Sequence, residues 1–198
     1  LGALDAGHYI ITAIVDANDN YTKATQTVEF TVIKYNATVE IEGIENGTTH
    51  NAGPKFNVTV TTNSSALINV TLNGKPFAVV ANGTTVDFGK LGEGHYVVTA
   101  FVKSKHNYTA AFKTIEFDVI RHNATVVING VENTTYYAGT SFTINATTNS
   151  TGLINITVNG KSYVVENNEN IVLGQLDAGH YIVTAVVKSN DNYTFAIA

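Results

Sequence analysis

One phrase returns three times in this chain. Leu4-Asp-Ala-Gly-His-Tyr-Ile-Ile-Thr-Ala13 comes back as Leu91-Gly-Glu-Gly-His-Tyr-Val-Val-Thr-Ala100 and again as Leu176-Asp-Ala-Gly-His-Tyr-Ile-Val-Thr-Ala185. The tyrosines Tyr9, Tyr96 and Tyr181 lie 87 and 85 residues apart. Asn20-Tyr-Thr, Asn107-Tyr-Thr and Asn192-Tyr-Thr follow in the same phase, and Leu67-Ile-Asn-Val-Thr-Leu-Asn-Gly-Lys75 matches Leu153-Ile-Asn-Ile-Thr-Val-Asn-Gly-Lys161. Solenoid repeats run only ~20–45 residues, so a unit of this length is one autonomous domain. The 198 residues have room for about two such domains.

Within the unit the period is two. Val39 and Ile41 alternate with Glu40 and Glu42, and Phe56, Val58 and Val60 alternate with Asn57, Thr59 and Thr61. Alternation turns one set of side chains to a core and the other to water, which is the pattern of a strand with one buried face. Asn46-Gly47, Asn73-Gly74 and Asn82-Gly83 cut these runs with residues that tolerate the positive φ of hairpin turns. About seven strands are expected, near 37–44, 56–63, 67–73, 76–81, 84–89, 95–104 and 112–120, and no segment shows helical spacing. Hydrophobic residues make up 44% of the chain, enough for a core, and charged residues 14%. A net charge of -5 disfavours nucleic acid and anionic membranes as partners. No Cys is present, which removes disulfides and thiolate chemistry. No apolar run reaches the ~20 residues of a spanning helix, so direct membrane insertion is not expected.

Asp5-x-Gly7-x-Tyr9-x-Ile11-x-Ala13 resembles the sixth-strand signature of immunoglobulin domains, with Ile11, Val98 and Val183 where those domains carry a cysteine. The tyrosines Tyr9, Tyr96 and Tyr181 match the tyrosine corner, whose hydroxyl bonds upstream backbone. The middle copy departs from the signature, with Gly92 in place of the Asp. The whole unit, including the closing run Thr27-Val-Glu-Phe-Thr-Val-Ile33, is similar to the immunoglobulin-like repeats of archaeal, methanogen-type, and bacterial adhesin-like surface proteins. That resemblance implies an all-β architecture of tandem immunoglobulin-like antiparallel β-sandwiches without helices. It also implies an extracellular setting and a structural stalk or filament role. Adhesion to a glycan or protein through the loops is the alternative. The expected partners are neighbouring repeats of the same or identical chains, N-linked glycans, and a cell-surface ligand. No enzymatic constellation, cofactor or metal is expected.

The phasing assigns residues 1–34 to the last two strands of one domain, residues 35–121 to a complete domain, and residues 122–198 to a domain without its last strand. The chain is accordingly expected to be a window on a longer array. Strand donation between copies is disfavoured, because a donor of residues 27–34 brings a second copy of a strand that the acceptor already owns.

Fourteen Asn-x-Ser/Thr triplets are present. Asn57, Asn69, Asn145 and Asn155 fall on strands, where the period of two makes such triplets without any sugar. The loop positions Asn20, Asn46, Asn63, Asn82, Asn107, Asn133, Asn149 and Asn192 are the candidate N-glycosylation sites. Asp16-Ala-Asn-Asp-Asn20 resembles a cadherin calcium linker but falls in a hairpin, which favours an Asx-rich turn. Lys34 is a weak candidate for an isopeptide bond, since its repeat counterpart is Arg121. Phe56, Phe77, Tyr96, Phe117, Phe142 and Tyr181 are expected in the cores, whereas Tyr136 and Tyr137 stand in a loop.

Overall fold

The structure, a computed structural model, describes residues 2–198, so Leu1 of the expected 1–34 segment lies outside the described residues. These residues form seventeen strands and no helix. The strands are β1 (Gly7–Val15), β2 (Ala24–Val32), β3 (Val39–Glu42), β4 (Thr48–Asn51), β5 (Lys55–Thr62), β6 (Ile68–Leu72), β7 (Lys75–Val80), β8 (Thr84–Lys90) and β9 (Gly94–Val102). They continue as β10 (Ala111–Ile120), β11 (Val126–Asn129), β12 (Ser141–Thr148), β13 (Ile154–Val158), β14 (Lys161–Val165), β15 (Ile171–Gln175), β16 (Val183–Val187) and β17 (Ala196–Ile197). The chain separates into two compact units. The first takes Leu1–Thr48, Asn57–Asp87 and Tyr96–Phe117, and the second takes Thr49–Phe56, Phe88–His95 and Asp118–Ala198.

β1 and β2 form a two-stranded sheet of their own. The remaining strands make two immunoglobulin-like pairs of sheets. One pair is β3-β5-β8 with β4-β10-β9-β6-β7, and the other is β11-β12-β15 with β14-β13-β16-β17. Inward positions of the strands supply the cores. In the first unit Val58, Val60, Ile68, Val98 and Ala100 are fully buried. In the second, Ile144, Ala146, Ile154, Ile156, Ala185 and Val187 are.

β4 is a strand that the sequence does not announce. Its residues, Thr-Thr-His-Asn, carry no apolar alternation. Backbone bonds define it instead. The Gly47 N–H donates to the Glu116 carbonyl at 2.7 Å, and the Ala52 N–H donates to the Ile120 carbonyl at 2.8 Å. Both residue numbers rise together, so this segment runs parallel to β10. It covers an edge that would otherwise be open.

Phe77 departs from its expected core position and is 44% exposed. The register of β6 on β7 slips between Val70 and Thr71, which face Ala78 and Pro76. Phe77 is the extra residue of that bulge, and a bulge redirects its side chain. Pro76 has no N–H to give the ladder. The counterpart pair β13–β14, with Ser162 in place of Pro76, keeps a regular register and sets Tyr163 opposite Ile156. One glycine is fixed by contact. Gly130 has φ 90° and sits so close to the Thr143 carbonyl oxygen that a Cβ would collide with it.

Candidate functional site

Tyr9 and Tyr96 sit near the start of β1 and β9, and Tyr181 lies two residues before β16. The Tyr9 hydroxyl donates to the Asp5 carbonyl at 2.7 Å, and the Tyr181 hydroxyl donates to the Asp177 carbonyl at 3.2 Å. Tyr9 also stacks on Phe30, with ring centroids 5.5 Å apart and planes at 18°. Tyr96 does the same on Phe117, at 5.6 Å and 22°. Each stack joins the recurring phrase to the closing strand of its repeat.

The Asn-Tyr-Thr phrase builds a joint. In the middle copy the Tyr35 N–H donates to the Asn107 carbonyl at 2.7 Å, and the Thr109 N–H donates to the Tyr35 carbonyl at 3.0 Å. The Ala37 N–H donates to Thr109 Oγ1 at 3.1 Å. The rings of Tyr35 and Tyr108 meet at 5.9 Å. The last copy repeats every part. His122 N–H donates to Asn192 carbonyl at 2.8 Å, Thr194 N–H to His122 carbonyl at 2.9 Å, and Ala124 N–H to Thr194 Oγ1 at 3.0 Å. His122 stacks on Tyr193 at 5.3 Å. In the first copy the corresponding Tyr21 is 75% exposed.

An asparagine two positions upstream shapes the turn. Asn18 Oδ1 accepts the N–H groups of Asn20 and Tyr21, both at 3.0 Å. Asn190 Oδ1 accepts those of Asn192 and Tyr193 at 3.0 and 2.9 Å. The cadherin-like run therefore directs its central side-chain oxygen at backbone, as an Asx turn does. No group of three or more His, Cys, Asp or Glu that could hold a metal occurs among the described residues. Lys34 Nζ donates to Ser104 Oγ at 2.6 Å.

The candidate glycan acceptors fall into three kinds. Asn46, Asn63, Asn82 and Asn149 use their amides as ties between segments. Asn46 Oδ1 accepts Glu116 N–H at 2.8 Å, and Asn82 Oδ1 accepts Thr62 N–H at 2.8 Å. Asn63 Oδ1 accepts Thr38 N–H at 2.9 Å while its Nδ2 donates to the Asn36 carbonyl at 3.1 Å. Asn149 repeats this pair with Thr125 and Asn123, at 2.8 and 3.0 Å. Asn107 and Asn192 are half-buried in the joint, and Asn192 lies beside Gly53. Asn20 and Asn133 are exposed, and neither side chain makes a hydrogen bond among the described residues.

On the strands, Asn145 Nδ2 donates to Asn170 Oδ1 at 3.0 Å, and Asn155 Oδ1 accepts from Ser162 Oγ at 2.5 Å. Asn57 is exposed and Asn69 half-buried. Tyr136 packs edge-on against Phe142 at 5.0 Å, and its hydroxyl accepts the Glu132 N–H at 3.0 Å. Its neighbour Tyr137 is 93% exposed.

Nothing local in the sequence marks Tyr35, His122, Thr109 and Thr194 as parts of one device. Their recurrence in phase was the available signal. Thr109 and Thr194 also stand as the third residues of the Asn107 and Asn192 sequons.

No family model matches the chain, and no curated protein matches it. Solved structures similar to it include the fibronectin(III)-like modules of Clostridium thermocellum CbhA, at 15% identity and TM-score 0.38, covering 81% of this chain and 92% of that one. The N-terminal eight Ig domains of Down Syndrome Cell Adhesion Molecule align at 18% identity and TM-score 0.35, covering 98% of this chain and 30% of that one. Domains A168–A170 of titin align at 12% identity and TM-score 0.29, covering 98% and 74%.

Proposed function

We propose that this chain is a structural segment of an extracellular stalk or filament, a semi-rigid run of immunoglobulin-like domains at 35–121 and 122–198, preceded by the last two strands of another at 1–34. One observation supports this most. The residue that opens each repeat, Tyr35 or His122, is bonded through both its N–H and its C=O into the hairpin of that same repeat. Between the end of β10 at Ile120 and the bonded His122, only Arg121 is left as spacer. A one-residue spacer has almost no freedom to bend, unlike a flexible linker, whose reach grows with the square root of its length. Such a joint suits a part whose work is to hold distance rather than to turn over a substrate.

Asn20 and Asn133 are the acceptors best suited to carry N-linked glycans, because each amide is exposed and has no structural bond to give up. Electron microscopy of a longer array, produced in its native cell, tests the rod. Extended particles with narrow interdomain angles are expected, and freely jointed beads would overturn the reading. Mass spectrometry of the same material reads the sugars.

A second reading, adhesion through loops, is favoured by Tyr137, which stands 93% exposed beside Tyr136. Exposed aromatics are the side chains that stack on sugars and anchor protein contacts. Glycan-array binding that disappears in Tyr137→Ser would put this reading first.

A further inference from the structure

The outer face of the sheet β4-β10-β9-β6-β7 carries an apolar collar around one asparagine. Asn69 lies in β6, between β7 and β9. Its neighbours Ile68 and Val70 are buried in the core, so Asn69 faces outward. Val79 stands opposite it on β7 and Phe101 on β9. Leu67, two residues earlier, falls on the same side. Leu67 is 57% exposed, Val79 is 62% exposed and Phe101 is half-buried. The second unit repeats this arrangement within its own sheet. Asn155 in β13 stands opposite Val164 on β14 and Val186 on β16. Leu153 is 59% exposed, Val164 is 67% exposed and Val186 is half-buried. Single exposed apolar side chains are ordinary. Apolar groups on three sides of an asparagine, twice at matching positions, call for a cover.

The asparagine itself says what the cover is. Asn69-Val-Thr71 and Asn155-Ile-Thr157 are acceptor triplets for N-linked sugar. The Asn69 side chain makes no hydrogen bond among the described residues. Asn155 uses Oδ1 to accept from Ser162 Oγ, which leaves Nδ2, the atom that takes a sugar, unbonded among the described residues. The other two strand triplets differ. Asn145 is engaged at both ends, donating through Nδ2 to Asn170 and accepting at Oδ1 from Asn129. Asn57 stands on a polar face, where Thr59 and Thr61 of its strand lie opposite Glu42 and Glu40. The period of two explains a triplet on such a face. It does not explain a collar of Leu, Val and Phe.

We propose that Asn69 and Asn155 are N-glycan acceptors, and that the first sugar of each glycan lies on the collar around it. A pyranose has a rim of hydroxyls and faces made of C–H groups. Cross-strand Cβ atoms stand about 4.5–5.5 Å apart, within the span of one sugar ring. Laid over Phe101, Val79 and Leu67, a C–H face removes apolar surface from water while the hydroxyls stay hydrated. The attachment is a glycosyl transfer from a lipid-phosphate-linked oligosaccharide, catalysed by a transferase of the cell. Nδ2 forms the bond to the anomeric carbon. The bond from that carbon to the phosphate oxygen breaks, and the lipid phosphate leaves with the electron pair. One amide proton passes to a base of the transferase. The proposal rests on the extracellular reading, because this modification belongs to exported chains.

The test reads each triplet and each collar separately. Protein made in its native cell is digested, and mass spectrometry is expected to find sugar on Asn69 and Asn155 and none on Asn57 or Asn145. Hydroxyl-radical footprinting then reads the collars. Oxidation of Leu67, Val79 and Phe101 should be severalfold lower in this protein than in the same chain made in a host without the transferase. Asn69→Gln made in the native cell should regain oxidation at that collar alone. Continued protection of Leu153 and Val164 in the variant shows that the fold and the second glycan are intact. Sugar on Asn20 and Asn133 but not on Asn69 or Asn155 would overturn the proposal and leave the extracellular reading standing. No sugar on any triplet would overturn the proposal and withdraw the glycan support from that reading as well. Sugar on Asn69 and Asn155 with equal oxidation of the collars in both preparations would also overturn it. Absence of sugar there, with association of the protein slowing amide exchange across 67–71, would give the face to a second copy instead.

Discussion

β1–β2 and the stretch from β9 to β10 carry the same hairpin twice, yet only one of them is buried. The tyrosine–phenylalanine stacks are alike, at 5.5 Å and 18° against 5.6 Å and 22°. A threonine pair crosses each at the same place, Thr12 to Thr27 at 3.2 Å and Thr99 to Thr114 at 2.9 Å. Burial diverges completely. Ile11 is 41% exposed where Val98 is 0%, and Val15 is 65% exposed where Val102 is 1%. The local phrase therefore encodes register and cross-strand pairing by itself. Stability is another matter, because a lone two-stranded hairpin is marginal in water and gains its worth from the sheet it covers. The same residues thus have different energetic weight in the two places, and substitutions can measure the difference.

The largest contrast should come from the stacked phenylalanines. Phe117 is 1% exposed, and Phe117→Ala is expected to cost about 3–5 kcal/mol through lost transfer energy and the cavity left behind. Phe30→Ala removes the same ring from a sheet with no opposing layer and should cost about 1 kcal/mol or less. Native-state hydrogen exchange of the β9 and β1 amides reads the two separately, which a single melting curve of several domains would not. Equal losses at both positions would mean that the hairpin, not the sandwich, sets the energy.

Asn63→Ala is expected to rank second. Its amide accepts from Thr38 and donates to Asn36, and loss of both ties should cost about 1–2 kcal/mol. Asn149→Ala should behave alike, because its pair of bonds is the same. Asn20→Ala in the first hairpin should change stability by less than about 0.5 kcal/mol, as surface substitutions do. Native-state hydrogen exchange of the amides around each residue checks all three. A large effect at Asn20 would show that the first hairpin has a partner of its own.

These asparagines also show where the sequence could be read and where it could not. The period of two disclosed the strands that carry apolar alternation. It failed at β4, whose Thr-Thr-His-Asn carries no apolar alternation and is set beside β10 by backbone bonds, and at Phe77, which a bulge beside Pro76 turns out of register. A sequon is a local triplet, and it does not say whether its amide is already engaged across the fold. Recurrence in phase was the better signal. Asn167 ties Thr148 as Asn82 ties Thr62, at 2.9 and 2.8 Å, yet Asn167 is in no sequon. Asn73 and Asn159 likewise recur without one. Each takes a positive φ, 50° and 48°, in a hairpin turn and accepts a backbone N–H from across the sheet, Val97 at 2.8 Å and Ile182 at 2.7 Å.

A smaller effect is expected at the joint. Thr109→Val keeps the side-chain shape but removes the acceptor of the part-buried Ala37 N–H, which should cost about 1 kcal/mol. Thr194→Val should do the same for Ala124. Thr22→Val, in the copy whose Tyr21 is 75% exposed, should be silent. Limited proteolysis near residues 34–37 and 121–124 provides a second measure, since a loosened joint opens locally before the sandwiches unfold. Unchanged cleavage in both variants would assign the joint to the ring contacts and the backbone bonds alone.

The smallest effect is expected from Tyr9→Phe. The substitution deletes the 2.7 Å bond to the Asp5 carbonyl and leaves the ring on Phe30. Both partners of that bond are at an exposed turn, where water can take over the carbonyl, so the net loss should be about 0.5 kcal/mol. The β1–β2 ladder, paired from Gly7–Val32 to Val15–Ala24, needs no corner to keep its register. Exchange rates of the amides from Gly7 to Val15 should therefore change only at the first pairs beside the turn. If exchange instead rises along the whole strand, the corner rather than the ladder holds this hairpin together. The hairpin would then be the one place where the immunoglobulin-like signature supplies stability without a sandwich to bury it.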